Sequence, residues 1–305
     1  MSKGEEHKKH HFVPQTYLRQ FAHSNGKEKN PTYYIHCCNR KAKTTFTKNV
    51  EDICQIPYFY KISDEYLSQN PENGLNPLSL ELDHFANYVE TNLTHILEET
   101  NSRKEDCVHR RANSFPMLDN DKYLLAEQVV IQFLRHPNMR EYDVSFVDEF
   151  YPKMIRLFQQ GMARELINMP EIAELNIGYK KDDVVLHAKH SYLNDNIVSS
   201  FSNHLSKNLW SFVYSPDKRF MTSDNPVVCI QQFHNERPFD LGLNQKGAIK
   251  FFALSPDLLL IMMDENITQG IDCKFGIATD ICISTYHDAL YSQSNEVYSY
   301  NNFKL

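Results

Sequence analysis

The apolar residues of this chain change their repeat once, near Leu209, and that change limits the fold more than any other feature. Before it, apolar side chains recur at helical spacing. Residues 80–99 place Leu82, Phe85, Val89, Leu93, Ile96 and Leu97 along one side of a helix. Residues 119–136, 141–167 and 182–208 repeat the pattern. Asp119 suits an N-cap, and Pro137 stops the helix before it. After Leu209 the repeat approaches two. Residues 209–214, 219–222, 226–230, 249–254 and 258–263 read as short strands between Pro, Gly and Asn turns. A helix over 277–294 and a strand over 297–300 close the chain. At the other end, residues 33–37 and 44–50 form a hairpin about Asn39, Arg40 and Lys41, and 57–62 adds a strand. The expectation is an α+β fold: an N-terminal β hairpin, a central helical bundle and a C-terminal antiparallel β region. We read residues 1–305 as one domain, with sub-regions 10–62, 78–208 and 209–305.

Several function classes fall away. No apolar run approaches the ~18 residues of a membrane span. The start, MSKGEEHKKHH, has no apolar leader segment, and seven cysteines read as reduced thiols of a cytoplasmic protein. Only nine glycines are present, with no G-x-G-x-x-G or G-x-x-x-x-G-K-[ST], so phosphate loops of either kind are excluded. H-E-x-x-H, G-x-S-x-G and C-x-x-C are also missing. The net charge of −7 is uneven: residues 1–50 carry ten Lys and Arg against three Asp and Glu. A basic lead on an acidic body meets a polyanion such as nucleic acid, or docks on its own chain.

Three clusters of polar residues remain. His10 and His11 precede Phe12, Val13 and Pro14 on an extended lead-in to a short helix that carries Tyr17, Leu18 and Phe21. Neighbours in extended chain point to opposite faces, so one histidine at most enters a given pocket. On the second, otherwise apolar helix, Gln128, Gln132 and Arg135 stand at i, i+4 and i+7, within about 40° of one face. A buried guanidinium needs an internal carboxylate such as Glu81, or an anionic ligand. The third cluster is Thr222-Ser223-Asp224-Asn225-Pro226, which makes a tight turn or projects Asp224 and Asn225 as chemical groups. His187 and His190 read as an exposed helix surface.

These clusters follow a known order. Residues 11–21, from His11-Phe12-Val13-Pro14 to Tyr17-Leu18-Arg19-Gln20-Phe21, resemble the H-x-V-P-x-x-Y-L-x-x-F opening of a microbial family known as domain of unknown function 4238. Gln132 to Pro137 resembles its Q-x-x-R-x-P segment, and Thr222 to Val227 its T-S-D-N-P-V segment. The resemblance spans nearly the whole chain and implies that the three clusters belong to one pattern. It places Glu81 at an acidic position and supplies no reaction.

The leading expectation is a hydrolase, nuclease-like in kind, acting on a phosphate-containing or other anionic substrate, nucleic acid included. His11 serves as base or acid, Arg135 holds the anionic group, and Asp224 orients His11 or holds a divalent metal ion. Asn225 joins them, with Gln132, Ser223, Glu81 and His10 as substrate contacts. The alternative is a binding or regulatory module in which the same residues form a buried network. Cofactor and oligomeric state are left open.

Overall fold

A computed structural model describes residues 8–26, 29–165, 181–231, 242–264 and 269–303. The chain enters as strand β1 (Lys9–His11), and Pro14 then fixes the backbone for helix α1 (Gln15–Leu18), which tightens into a turn of 3₁₀ helix over Arg19–Phe21. Strand β2 (His23–Ser24) leads to the expected hairpin, β3 (Tyr33–Asn39) and β4 (Thr44–Asn49). Strand β5 (Gln55–Pro57) pairs antiparallel with β1, setting His11 opposite Gln55 and His10 opposite Ile56. The strand expected over 57–62 therefore lies earlier. Tyr58 turns the chain with a positive φ of 57°, which no strand residue adopts.

Helix α2 (Asp64–Gln69) is short and capped by Ser63. The next helix differs from its expectation. It is wound as a π-helix over Leu80–Val89 and only then continues as α3 (Glu90–Arg110). Its buried residues Leu80, Phe85 and Val89 recur at intervals of five and four, which suits the wider i→i+5 winding. Helix α4 (Asp119–Leu134) ends where expected. Helix α5 (Pro137–Glu165) starts on the proline that ended it, since proline is accepted in a first turn. The last two residues expected in α5, Leu166 and Ile167, lie outside the described residues. The single helix expected over 182–208 is two, α6 (Asp183–His190) and α7 (Asp195–Ser206). Asp182 and Asn194 each accept hydrogen bonds from first-turn amides, so the second cap starts a new helix where periodicity alone reads one.

The C-terminal strands are β6 (Leu209–Tyr214), β7 (Thr222–Ser223), β8 (Val227–Gln231), β9 (Ala248–Ser255), β10 (Leu258–Met263), β11 (Lys274–Ile277) and, beyond α8 (Asp280–Gln293), β12 (Glu296–Ser299). One sheet has the order β11-β6-β10-β9-β8 and is antiparallel except for β11, which runs parallel to β6. Strand β11 lies outside the sequence expectation, because only Phe275 and Ile277 mark it. The second sheet, β2-β3-β12-β7 with β4 on β3, joins the N-terminal hairpin to the C-terminal strands. The protein is thus α+β, with the N-terminal hairpin and the last strand in one sheet. Tyr17 fastens α1 to this body: it stacks on Phe252 and donates its hydroxyl proton to Ala253 O at 2.8 Å. Among the described residues, no helix is long and apolar enough to cross a membrane.

Candidate functional site

The site forms where β1, the π-helix and the last turn of α4 meet. Helical spacing brings Gln132 and Arg135 to β1. Gln132 Nε2 donates to Phe12 O at 3.1 Å, and Arg135 donates through one terminal nitrogen to His11 O. Arg135 also donates Nε–H to the Tyr60 hydroxyl at 3.1 Å and lies 3.7 Å from Glu90 Oε1. Its guanidinium sits 4.2 Å from the Phe85 ring centroid. Only 1 % of Arg135 is exposed, so these contacts replace its hydration and cancel part of a large desolvation cost. Nη1 is nevertheless left without a partner.

The two histidines face apart, as extended chain requires. His10 is fully buried, stacks on Tyr60 and accepts the Tyr60 N–H at Nδ1 (2.8 Å). Glu81 Oε2 stands 3.9 Å from that same Nδ1. Since Nδ1 presents a lone pair to Tyr60, this approach is not an ion pair. Burial pushes the Glu81 carboxyl up to about 7, with the Arg135 charge only partly opposing it. Glu90 is also raised by burial and opposed by Arg135. His11 turns to the other side, beside Gln15 Nε2 at 3.4 Å. Burial holds its pKa down to about 4, against a smaller opposing effect of the Glu51 backbone carbonyl.

Unpartnered buried atoms gather on these elements. They include His11 Nε2, Gln55 Oε1, Glu81 Oε2, His84 Nε2 and Arg135 Nη1, with Gln128 Oε1 and Gln132 Oε1 along the same face of α4. Natural proteins leave few such atoms, and each calls for a water, an ion or a ligand. A π-helical segment recurs at functional sites for a related reason: its wider turn displaces side chains that an α-helix would hold in line.

The third cluster is held by bonds of its own, and it adjoins the first through the Tyr17 hydroxyl, 2.8 Å from Thr222 Oγ1, and through Cys54, whose thiol feels the Asp224 charge. Asp224 accepts the Asn295 N–H at 3.0 and 3.2 Å, and its own N–H donates to Glu296 O. Burial raises its carboxyl, opposed by the amides of Asn295 and Glu296. Ser223 Oγ donates to Asn225 O and accepts from Asn225 N–H and Ser294 Oγ, while Asn225 Nδ2 donates to Gln293 O. These bonds fasten β7 to the end of α8. Among the described residues, no hydrogen bond or ion pair joins Asp224 or Asn225 to His11 or Arg135.

Sequence reading points to Glu81 as the partner of Arg135, whereas the nearest carboxylate is Glu90, one helical segment further on. Tyr60, His84 and Glu90 carry no separable signal. An aromatic residue after a turn and a carboxylate in a polar helix are ordinary features. His187 is a correction. It is 1 % exposed, with Nδ1 2.6 Å from Asp143 Oδ2 and Nε2 3.0 Å from Leu134 O. Its polar neighbours in sequence point outward while it faces α4. Beyond it, across the last turn of α4 from Arg135, Phe133, Leu134, Met139, Phe201 and Asp143 line a cavity of about 690 Å³.

Among the described residues, no group of three or more His, Cys, Asp or Glu side chains is placed to hold a metal ion. A family model described as "Protein of unknown function (DUF4238)" matches residues 9–301. No curated protein and no solved structure matches the chain.

Proposed function

Because the chain belongs to DUF4238, a family whose description names no reaction, we propose a function from the chemistry of the site alone: an enzyme of the hydrolase class that acts on an anionic, phosphate-containing substrate between β1, the π-helix and α4. The observation that carries this reading is that Arg135 Nη1 and Glu81 Oε2 are both buried and unpartnered, with the Arg135 charge acting on the Glu81 carboxyl. One is a buried cationic donor without a partner, the other a carboxyl without a partner whose pKa lies near 7. A group that titrates at the working pH suits proton transfer, and a fixed buried cation suits an anionic group. Arg135 Nη1 takes the anionic group of the substrate. Water attacks the phosphorus as its bond to the leaving oxygen breaks, protonated Glu81 delivers its proton to that oxygen, and the proton released by the water restores it. His10, held by Tyr60, packs 3.9 Å from the carboxyl. The Oε1 atoms of Gln128 and Gln132 accept from the substrate's own hydroxyl or amine donors.

A second reading is favoured by one observation: every bond that Arg135 makes is to this chain, to His11 O, Tyr60 and Glu90. On that reading the cluster is a buried network in a binding or regulatory module.

One experiment separates them. RNA, single-stranded and duplex DNA, and small phosphate esters are incubated with the protein, with and without Mg²⁺, Mn²⁺ or Zn²⁺, beside Glu81→Gln and His10→Gln. Turnover lost in Glu81→Gln with no loss of melting temperature supports the enzyme. No turnover of any substrate by the wild-type protein sinks it and leaves the network reading.

A further inference from the structure

Helix α5 carries an apolar face that the body of the protein does not cover. Tyr142, Phe146, Phe150, Met154 and Phe158 recur every four residues, and all are exposed, from 44 % at Phe150 to 66 % at Phe158. The rings of Tyr142, Phe146 and Phe150 stack on one another, so the stripe is a continuous ridge. From Asp148 to Phe158 every residue but Ile155 is exposed, and Pro152 lies inside the helix. A helix interrupted by proline and exposed nearly all round gains little in water from its own hydrogen bonds. An aromatic ridge of this length marks a place of contact.

We propose that this ridge is the interface between two copies of the chain, paired antiparallel about a two-fold axis at Phe150. Two observations identify a second copy as the occupant. First, the stripe is symmetric about Phe150: Phe146 and Met154 stand four residues to either side, and Tyr142 and Phe158 eight. An isologous interface requires a surface that complements itself, and i±4n ridges of two helices interlock at a crossing angle of about −50°. Second, charge is divided along the helix. Glu141 and Glu149 precede Phe150, and Lys153 and Arg156 follow it, whereas Asp143 and Asp148 are held by His187 and Lys181 of the same chain and Arg140 is turned to Phe59 O. Antiparallel pairing sets the acidic half of one copy against the basic half of the other, with Glu149 facing Lys153 across the axis. A basic polar face of the kind that holds a helix on an anionic lipid surface is not present here.

The test is the mass of the full chain in solution by sedimentation, over a dilution series that reaches the ~100 μM range. A dimer is expected. Phe150→Glu is expected to give a monomer with an unchanged melting temperature, since the side chain is exposed. Glu149→Lys and Lys153→Glu each set like charges across the axis and weaken the dimer roughly tenfold, while a 1:1 mixture of the two restores it as a heterodimer. A full chain that stays monomeric overturns the proposal, and binding of the ridge to vesicles would then name a different occupant. A dimer untouched by Phe150→Glu overturns the site, and a mixture that forms no heterodimer overturns the antiparallel pairing.

Discussion

Arg135 donates a hydrogen bond to the backbone carbonyl of His11, so the last turn of α4 holds in place the strand that carries both histidines. The same guanidinium reaches Tyr60 and Glu90, and through them the segment after β5 and the start of α3. Removing it leaves the raised Glu90 carboxyl without its cation and His11 O without its donor. Arg135→Ala is therefore expected to cost roughly 3–5 kcal/mol in urea unfolding, the range for one partner lost from a buried pair. Arg135→Met with Glu90→Gln removes charge from both sides and is expected to recover at least half of that loss. A single variant within about 1 kcal/mol of the wild type would show that Arg135 is not the centre of the network.

Glu81 makes stability depend on pH with a sign opposite to that of a surface carboxylate. Its pKa rises from 4.5 to about 7 on folding, so the folded state binds the proton more tightly. The contribution is favourable at low pH and is lost as pH rises between those two values. Glu81→Gln keeps the neutral form at every pH. It is expected to equal the wild type near pH 4 and to be more stable at pH 8, by roughly 3 to 4 kcal/mol, since a tenfold change in proton affinity is worth about 1.4 kcal/mol. Denaturant curves at the two pH values measure this, and an equal gain at both would place the effect outside the titration.

His11 and His84 act in the other direction. Burial lowers each from 6.5 to about 4. Folding thus favours the neutral rings, and stability is lost as pH falls from about 6.5 towards 4. Each ring contributes up to about 1.4 kcal/mol for every tenfold rise in proton concentration in that window. His84, stacked on Tyr192, is the cleaner probe, because its replacement leaves β1 intact. His84→Gln is expected to flatten the fall in melting temperature between pH 6.5 and 5. An unchanged slope would mean that His84 is already solvated.

The sequence discloses the elements whose signal is local. Pro137 ends α4, and residues 209–214 and 258–263 are strands as their composition suggests. Burial of Gln128, Gln132 and Arg135 follows from a helix that is apolar elsewhere. What depends on distant partners is hidden. The π winding of Leu80–Val89 leaves only a spacing of five and four that an α-helix nearly tolerates. Glu90 becomes the partner of Arg135 through the register of α3 against α4, which no pattern within either helix specifies. The pairing of β12 with β3, 257 residues apart at Asn39 and Glu296, is likewise a tertiary fact.

Asp224 offers the sharpest division between structure and chemistry. Both of its oxygens approach the Asn295 N–H, and its amide holds Glu296 O at 3.1 Å. A side chain used in this way is a brace between β7 and the turn that enters β12. Asp224→Asn keeps an acceptor oxygen, so a loss of about 1 kcal/mol is expected, the worth of one altered hydrogen bond. Asp224→Ala removes the acceptor altogether and is expected to cost about 1–3 kcal/mol, the range that reaches hydrogen bonds to a charged group. If instead Asp224→Asn abolishes turnover with its unfolding midpoint unchanged, the carboxylate is needed for its charge. The turn would then have to reach the substrate, and its bonds to Asn295 would have to open in the bound state. Melting temperature and turnover, measured on the same two variants, separate a brace from a catalytic carboxylate.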